Sequence, residues 1–143
     1  MGPVIRILAH PRWEDDVMND RVVRVLIVDD QEPFRAAARD VVDLAEGFEV
    51  IGEAETGEAS IESVRDLRPD LVLMDVNLPG IDGLEATRRI LKENPEQVLV
   101  LVLSTYEAEE MTPRALEAGA VAYIPKAQFG PDELEEAWAA TTH

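Results

Sequence analysis

A chain of 143 residues suffices for one domain with a single core, and an apolar share of 46% with only 5% aromatic residues predicts a core of Val, Leu, Ile and Ala. Thirty acidic against 13 basic residues leave a net charge of −17, which repels phosphate backbones and argues against direct nucleic-acid binding; its plain reading is a well-solvated surface. The lack of cysteine excludes disulfides, thiol catalysis and thiolate metal sites, and no apolar run approaches the roughly 18 residues that span a bilayer.

Residues 1–20 read as an N-terminal extension, since Pro3, Pro11, Trp13 and the Glu14-Asp15-Asp16 cluster keep no sustained period. Val4 to Leu8 could supply an edge strand. The segment is too short and too poorly flanked for a signal peptide, so a cytoplasmic location is expected. Residues 21–143 read as the domain proper.

Five short apolar runs follow: Val22 to Val28, broken by Arg24, then Phe48 to Ala54, Leu71 to Met74, Val98 to Leu103 and Val121 to Ile124. Short, nearly continuous runs suit strands buried on both faces of a parallel sheet. Helical stretches lie between them. Pro33 to Glu46 places Phe34, Ala37, Ala38, Val41, Val42 and Ala45 on one stripe and closes at Gly47. Glu58 to Leu67, Leu84 to Lys92, Ala108 to Ala118 and Pro131 to Ala140 follow, the last burying Leu134 and Trp138. Five alternations with right-handed crossovers predict an α/β fold, a doubly wound five-stranded parallel sheet flanked by five helices.

In such a sheet ligands bind at the carboxyl ends of the strands. The first run ends in Asp29-Asp30, the third in Asp75 and the fourth in Ser104-Thr105, and Lys126 follows the fifth. Two carboxylates about 4 Å apart repel by roughly 4 kcal/mol at an effective dielectric near 20, so three on one rim call for a cation or a proton. Magnesium, hard and satisfied by one or two carboxylates, meets that need, and the lack of Cys or nearby His argues against zinc. Each feature has a plainer reading. Asp30 would cap the next helix, Leu78 to Gly83 would be only a turn, Ser104-Thr105 would satisfy a loop, and Lys126 would be a surface lysine. Joint placement favours the functional reading, because Lys92 and Lys126 are the only lysines beside eleven arginines.

Val25 to Asp30, Asp75 to Gly83, Val102 to Ser104 and Ala118 to Lys126 resemble the receiver domain of bacterial two-component response regulators, a flavodoxin-like fold of the CheY-like superfamily. The resemblance covers about residues 22 to 140, and Val50 to Ala54 is closest to the LuxR/NarL-type regulators. It implies Asp75 as the phosphoacceptor and Mg2+ held by Asp30 directly, Asp29 through water, Asp75 and the Asn77 carbonyl. Lys126 and Ser104 would contact phosphoryl oxygens, and Tyr123 would turn inward when Ser104 is recruited. The implied partner is a sensor histidine kinase or phosphotransfer protein, with a homodimer left open, while charge and hydropathy speak against direct nucleic-acid binding by this domain and against a membrane. The chemistry would be self-catalysed phosphoryl transfer with slow hydrolysis, a switch rather than an enzyme. Ala127 stands where the family often has proline, and Thr105 where a small residue is usual. Asn77 and Tyr106 occupy positions that tune phosphoryl lifetime.

A magnesium phosphohydrolase with an aspartyl nucleophile is the competing enzyme reading, and Asn77 stands where its second acid would be. A receiver fold serving only as a docking surface is the third. The span after Trp138 holds no DNA-binding unit, so a stand-alone receiver and a longer regulator both fit.

Overall fold

The structure, a computed structural model, describes residues 22–141; the expected strand at Val4 to Leu8 and the rest of the extension lie outside them. Five strands and five helices alternate: β1 (Val23–Val28), α1 (Glu32–Leu44), β2 (Phe48–Ala54), α2 (Gly57–Leu67), β3 (Leu71–Asp75), α3 (Gly83–Glu93), β4 (Leu99–Ser104), α4 (Ala108–Glu117), β5 (Ala122–Pro125) and α5 (Pro131–Thr141). The strands form one parallel sheet in the order β2-β1-β3-β4-β5. The doubly wound sheet is therefore as expected, with strand limits shifted by one residue at several ends.

Alternate residues of the central strands face opposite layers, which is why their apolar runs are continuous. Leu26, Val28, Val72, Met74, Val100 and Val102 pack with side chains of α2, α3 and α4. Val25, Ile27, Leu71, Leu73, Leu101 and Leu103 face the other way, with Ala38 and Val42 of α1 and Leu134 of α5. Trp138, half-buried, meets Phe48 edge to face at 6.2 Å between ring centroids, tying α5 to β2.

Local chemistry sets the joints. Thr56 accepts the Ala59 amide at 2.9 Å and Asp82 accepts the Glu85 amide at 2.8 Å, so α2 and α3 start on side-chain caps. Arg24, which breaks the first apolar run, donates to the Arg68 carbonyl at 2.6 Å and the Leu67 carbonyl at 2.8 Å. A cation there also complements the carboxyl end of the α2 dipole.

The stripe assigned to α1 needs one correction. Ala37 is exposed, and Arg35 holds a buried position instead. The buried set 35, 38, 42, 45 keeps 3-4-3 helical spacing, rotated slightly from the apolar stripe.

Candidate functional site

The chain passes from β1 to β2 on one side and later crosses to β3 on the other, so the winding reverses at β1 and opens a crevice above the carboxyl ends of β1 and β3. Asp29 leaves β1 with its amide donating to the Ala54 carbonyl at 3.0 Å. Its Oδ1 accepts the Gln31 amide at 2.8 Å. Gln31, not Asp30, stands at the helix N-cap, and no side chain caps it, so the helix-cap reading of Asp30 is wrong. Asp30 is exposed, whereas Asp29 and Asp75 are buried.

Lys126 opens a single 3-10 turn, Lys126–Gln128, directly after β5. Its side chain is only 16% exposed, with Nζ 2.7 Å from Asp29 Oδ2 and 3.4 Å from Asp75 Oδ1. The ammonium also sits 4.4 Å from the centre of the Phe34 ring. The surface-lysine reading therefore fails, and the nearer carboxylate is that of Asp29. Oδ2 of Asp29 is buried and has this ion pair as its partner, without a well-directed hydrogen bond.

Asp29, Asp30 and Asp75 offer carboxylate oxygens that all lie within 4.8 Å of one another. Among the described residues one ammonium, that of Lys126, is paired with this group, so three ionised carboxylates leave two negative charges uncompensated. Burial, then the charge of Asp29, push the Asp75 carboxyl up to about 6, with Lys126 pulling the other way and Asp30 adding a smaller upward push. An all-oxygen donor set with a double charge deficit fits a hard divalent cation such as magnesium.

The loop after β3 is seated by close packing, not only by turn chemistry. A Cβ on Gly83 would lie 1.9 Å from the Asp75 carbonyl oxygen and 2.9 Å from Val76 Cα, so α3 starts directly against the end of β3. Glu58 of α2 accepts the Ile81 amide at 3.2 Å, holding the far side of the loop.

Ser104 ends β4 with its Oγ buried and without a hydrogen-bond partner among the described residues, so it does not serve the loop backbone. Tyr123 is 8% exposed; its hydroxyl donates to the Tyr106 carbonyl at 2.6 Å, with the Ser104 carbonyl at 3.1 Å. The ring thus lies inside already, bonded to the segment that carries Ser104. The Tyr106 hydroxyl in turn donates to Asn77 Oδ1 at 3.1 Å, spanning from β4's loop to β3's.

The rim thus gathers Asp29, Asp30, Asp75 and Lys126 as expected, with Ser104 at the end of the neighbouring strand. Sequence reasoning missed Phe34, Arg35, Gly83 and Glu58. For Arg35 the usable signal was its 3-4-3 spacing with Ala38, Val42 and Ala45; for Glu58 there was none.

A doubly wound sheet with acids at the ends of β1 and β3 and a lysine after β5 is the frame of a receiver-type signalling domain. The chain belongs to the response regulator receiver domain family, whose pattern matches residues 25–139, and is a receiver-type signalling switch of two-component systems. It is 41% identical over 105 residues to the response regulator GacA of Pseudomonas viridiflava, covering 73% of this chain and 49% of that protein. It is 35% identical over 123 residues to the transcriptional regulatory protein DegU of Brevibacillus brevis, covering 86% of this chain and 51% of that one. The chain thus spans about half the length of these curated relatives. Among solved structures it is similar to a LuxR-family two-component response regulator from Aurantimonas sp. SI85-9A1, at 32% identity and TM-score 0.75, covering 83% of this chain and 84% of that one. The response regulator domain of Thermotoga maritima CheB is similar at 33% identity and TM-score 0.75, covering 84% and 96%. No helix among the described residues is long and apolar enough to cross a membrane.

Proposed function

We propose that Asp75 is the phosphoacceptor of a receiver unit spanning residues 21–143, working in the cytoplasm and supplied by a sensor histidine kinase or a phosphotransfer protein. The observation that carries this reading is the meeting of Asp75 with two further carboxylates and the Lys126 ammonium. A carboxylate oxygen of Asp75 attacks the donor's phosphorus, forming an O–P bond while the bond from phosphorus to the donor's leaving atom breaks. Asp29, Asp30 and Asp75, with the Asn77 carbonyl, would hold Mg2+, which when bound neutralises charge on the phosphoryl oxygens. Lys126 moves from the carboxylates onto a phosphoryl oxygen.

Ser104 supports the switching half of the proposal. A buried hydroxyl without a partner costs about 1–3 kcal/mol, and a phosphoryl oxygen would relieve that cost. Tyr123, bonded to the carbonyls of Ser104 and Tyr106, carries the shift to the surface between β4 and β5. Moving a population from 1:99 to 99:1 takes about 5.5 kcal/mol, which Ser104, Lys126 and Tyr123 must supply together. The regulated output, in a partner, in a further part of a longer protein or through a homodimer, lies beyond this rim.

The test is incubation with magnesium and acetyl phosphate, followed by intact-mass measurement. One phosphoryl group per chain is expected, with none on Asp75→Asn and none in EDTA. Undiminished labelling of Asp75→Asn would remove the proposal.

A further inference from the structure

Arg35 is a charged residue at 9% exposure, and each of its guanidinium nitrogens has an acceptor. Nη1 donates to the Asp29 carbonyl at 2.7 Å, Nε to Glu53 Oε1 at 3.0 Å and Nη2 to Glu32 Oε1 at 3.0 Å. These acceptors come from the exit of β1, from β2 and from the first turn of α1. Arg39, one turn later, takes the other oxygen of each glutamate, Glu53 Oε2 at 2.6 Å and Glu32 Oε2 at 2.9 Å. The two arginines and two glutamates close a ring, but of the two arginines only Arg35 reaches the main chain of Asp29.

The carbonyl it holds belongs to the peptide joining Asp29 to Asp30. The Asp29 amide is already fixed by Ala54 and Oδ1 by the Gln31 amide. Arg35 supplies the remaining constraint, on the peptide plane itself. Asp30 leaves from that plane into solvent, so the plane's tilt decides where its carboxylate points. A planar fork with three separate acceptors fixes a tilt in a way that an ammonium on a flexible stem cannot.

We propose that Arg35 is a positioning residue for the cation site: it locks the Asp29–Asp30 peptide so that both carboxylates face Asp75, and Glu32 and Glu53 lock Arg35 in turn. The proposal rests on the magnesium reading given above.

Charge alone makes the opposite forecast. Arg35 and Arg39 are cations near a cation site, so losing either would tighten magnesium binding by relieving repulsion. Positioning forecasts weaker binding, and only for Arg35. The experiment is calorimetric titration of Mg2+ into the full chain and into Arg35→Lys, Arg35→Gln and Arg39→Gln, with a thermal melt of each. Both Arg35 variants are expected to bind magnesium about tenfold more weakly, the lower end of what residues supporting a metal ligand contribute. Arg39→Gln should stay within about twofold of the wild type or bind tighter. Where Arg35→Gln does not fold, Arg35→Lys, which keeps the charge and loses the fork, carries the test. Wild-type affinity in Arg35→Lys, or an equal loss in Arg39→Gln, overturns the proposal. Failure of the wild type itself to bind magnesium overturns the magnesium reading, and this inference with it.

Discussion

Replacing Gly83 by alanine is expected to cost at least about 3 kcal/mol of stability, the upper end for overpacking a filled site. The added methyl would stand 1.9 Å from the Asp75 carbonyl oxygen, 2.8 Å from the Asp75 carbonyl carbon and 2.9 Å from Val76 Cα. All three are backbone atoms of a buried strand end, so no side chain can swing aside. Gly83 is also bonded there, its amide donating to the Val76 carbonyl at 2.8 Å. Relief must come from lifting α3 off β3 or from moving Asp75, and either damages the rim. Gly47 is the comparison. It has a left-handed φ of +88°, but a methyl added to it would meet none of the described residues within 4 Å, so alanine there should cost only about 1–2 kcal/mol of backbone strain. Urea unfolding of both variants beside the wild type decides the matter. A Gly83→Ala protein within about 1 kcal/mol of wild type would mean that the start of α3 is not seated on Asp75.

The strands were readable because a sheet covered on both faces buries nearly every residue of its central strands, leaving an apolar run with little else to mean. The rim was readable because strand ends share an edge once the winding is known, which makes Asp29, Asp75 and Lys126 neighbours from topology alone. What escaped were contacts that depend on side-chain reach across elements. Arg35 takes acceptors from residues 29, 32 and 53, and no local pattern announces that set. Phe34 was legible as an apolar residue but not as the ring beneath the Lys126 ammonium, because that needs the exact turn of Lys126–Gln128. The sequence of Leu78 to Gly83 announces a turn, but the requirement at Gly83 is steric, set by the strand end eight residues back. The order of Lys126's partners, Asp29 nearer than Asp75, likewise follows from where that turn points its side chain.

Asp75→Asn should stabilise the magnesium-free protein at neutral pH while destroying phosphate acceptance. In the folded chain the Asp75 carboxyl is pushed from an ordinary 3.8 up to about 6, first by burial and then by the charge of Asp29. A raised folded value means that the folded state holds this proton more tightly than the unfolded one. Well below 3.8 both states are protonated and the stability contributed by the neutral carboxyl is fully present. As pH rises through about 6 the folded state must accept a buried negative charge, and the stability contributed by the protonated form is lost. Asparagine keeps the shape and carries no charge, so the gap between variant and wild type should be near zero at pH 4. It should widen to of the order of 1–3 kcal/mol by pH 7, the range for an imperfectly compensated buried polar group. Comparing the two proteins cancels Glu32, Glu85 and Glu93, whose arginine partners hold them below the usual range and act in the opposite pH sense. Urea titrations in EDTA from pH 4 to 8 supply the measurement. Adding magnesium should then close the gap from the wild-type side, since a ligand that binds only the folded state stabilises it by mass action, and the variant has lost one of the three carboxylates. A gap that does not change between pH 4 and 7 would show that Asp75 carries no strained charge, and one that magnesium leaves untouched would show that this charge is not what the cation relieves.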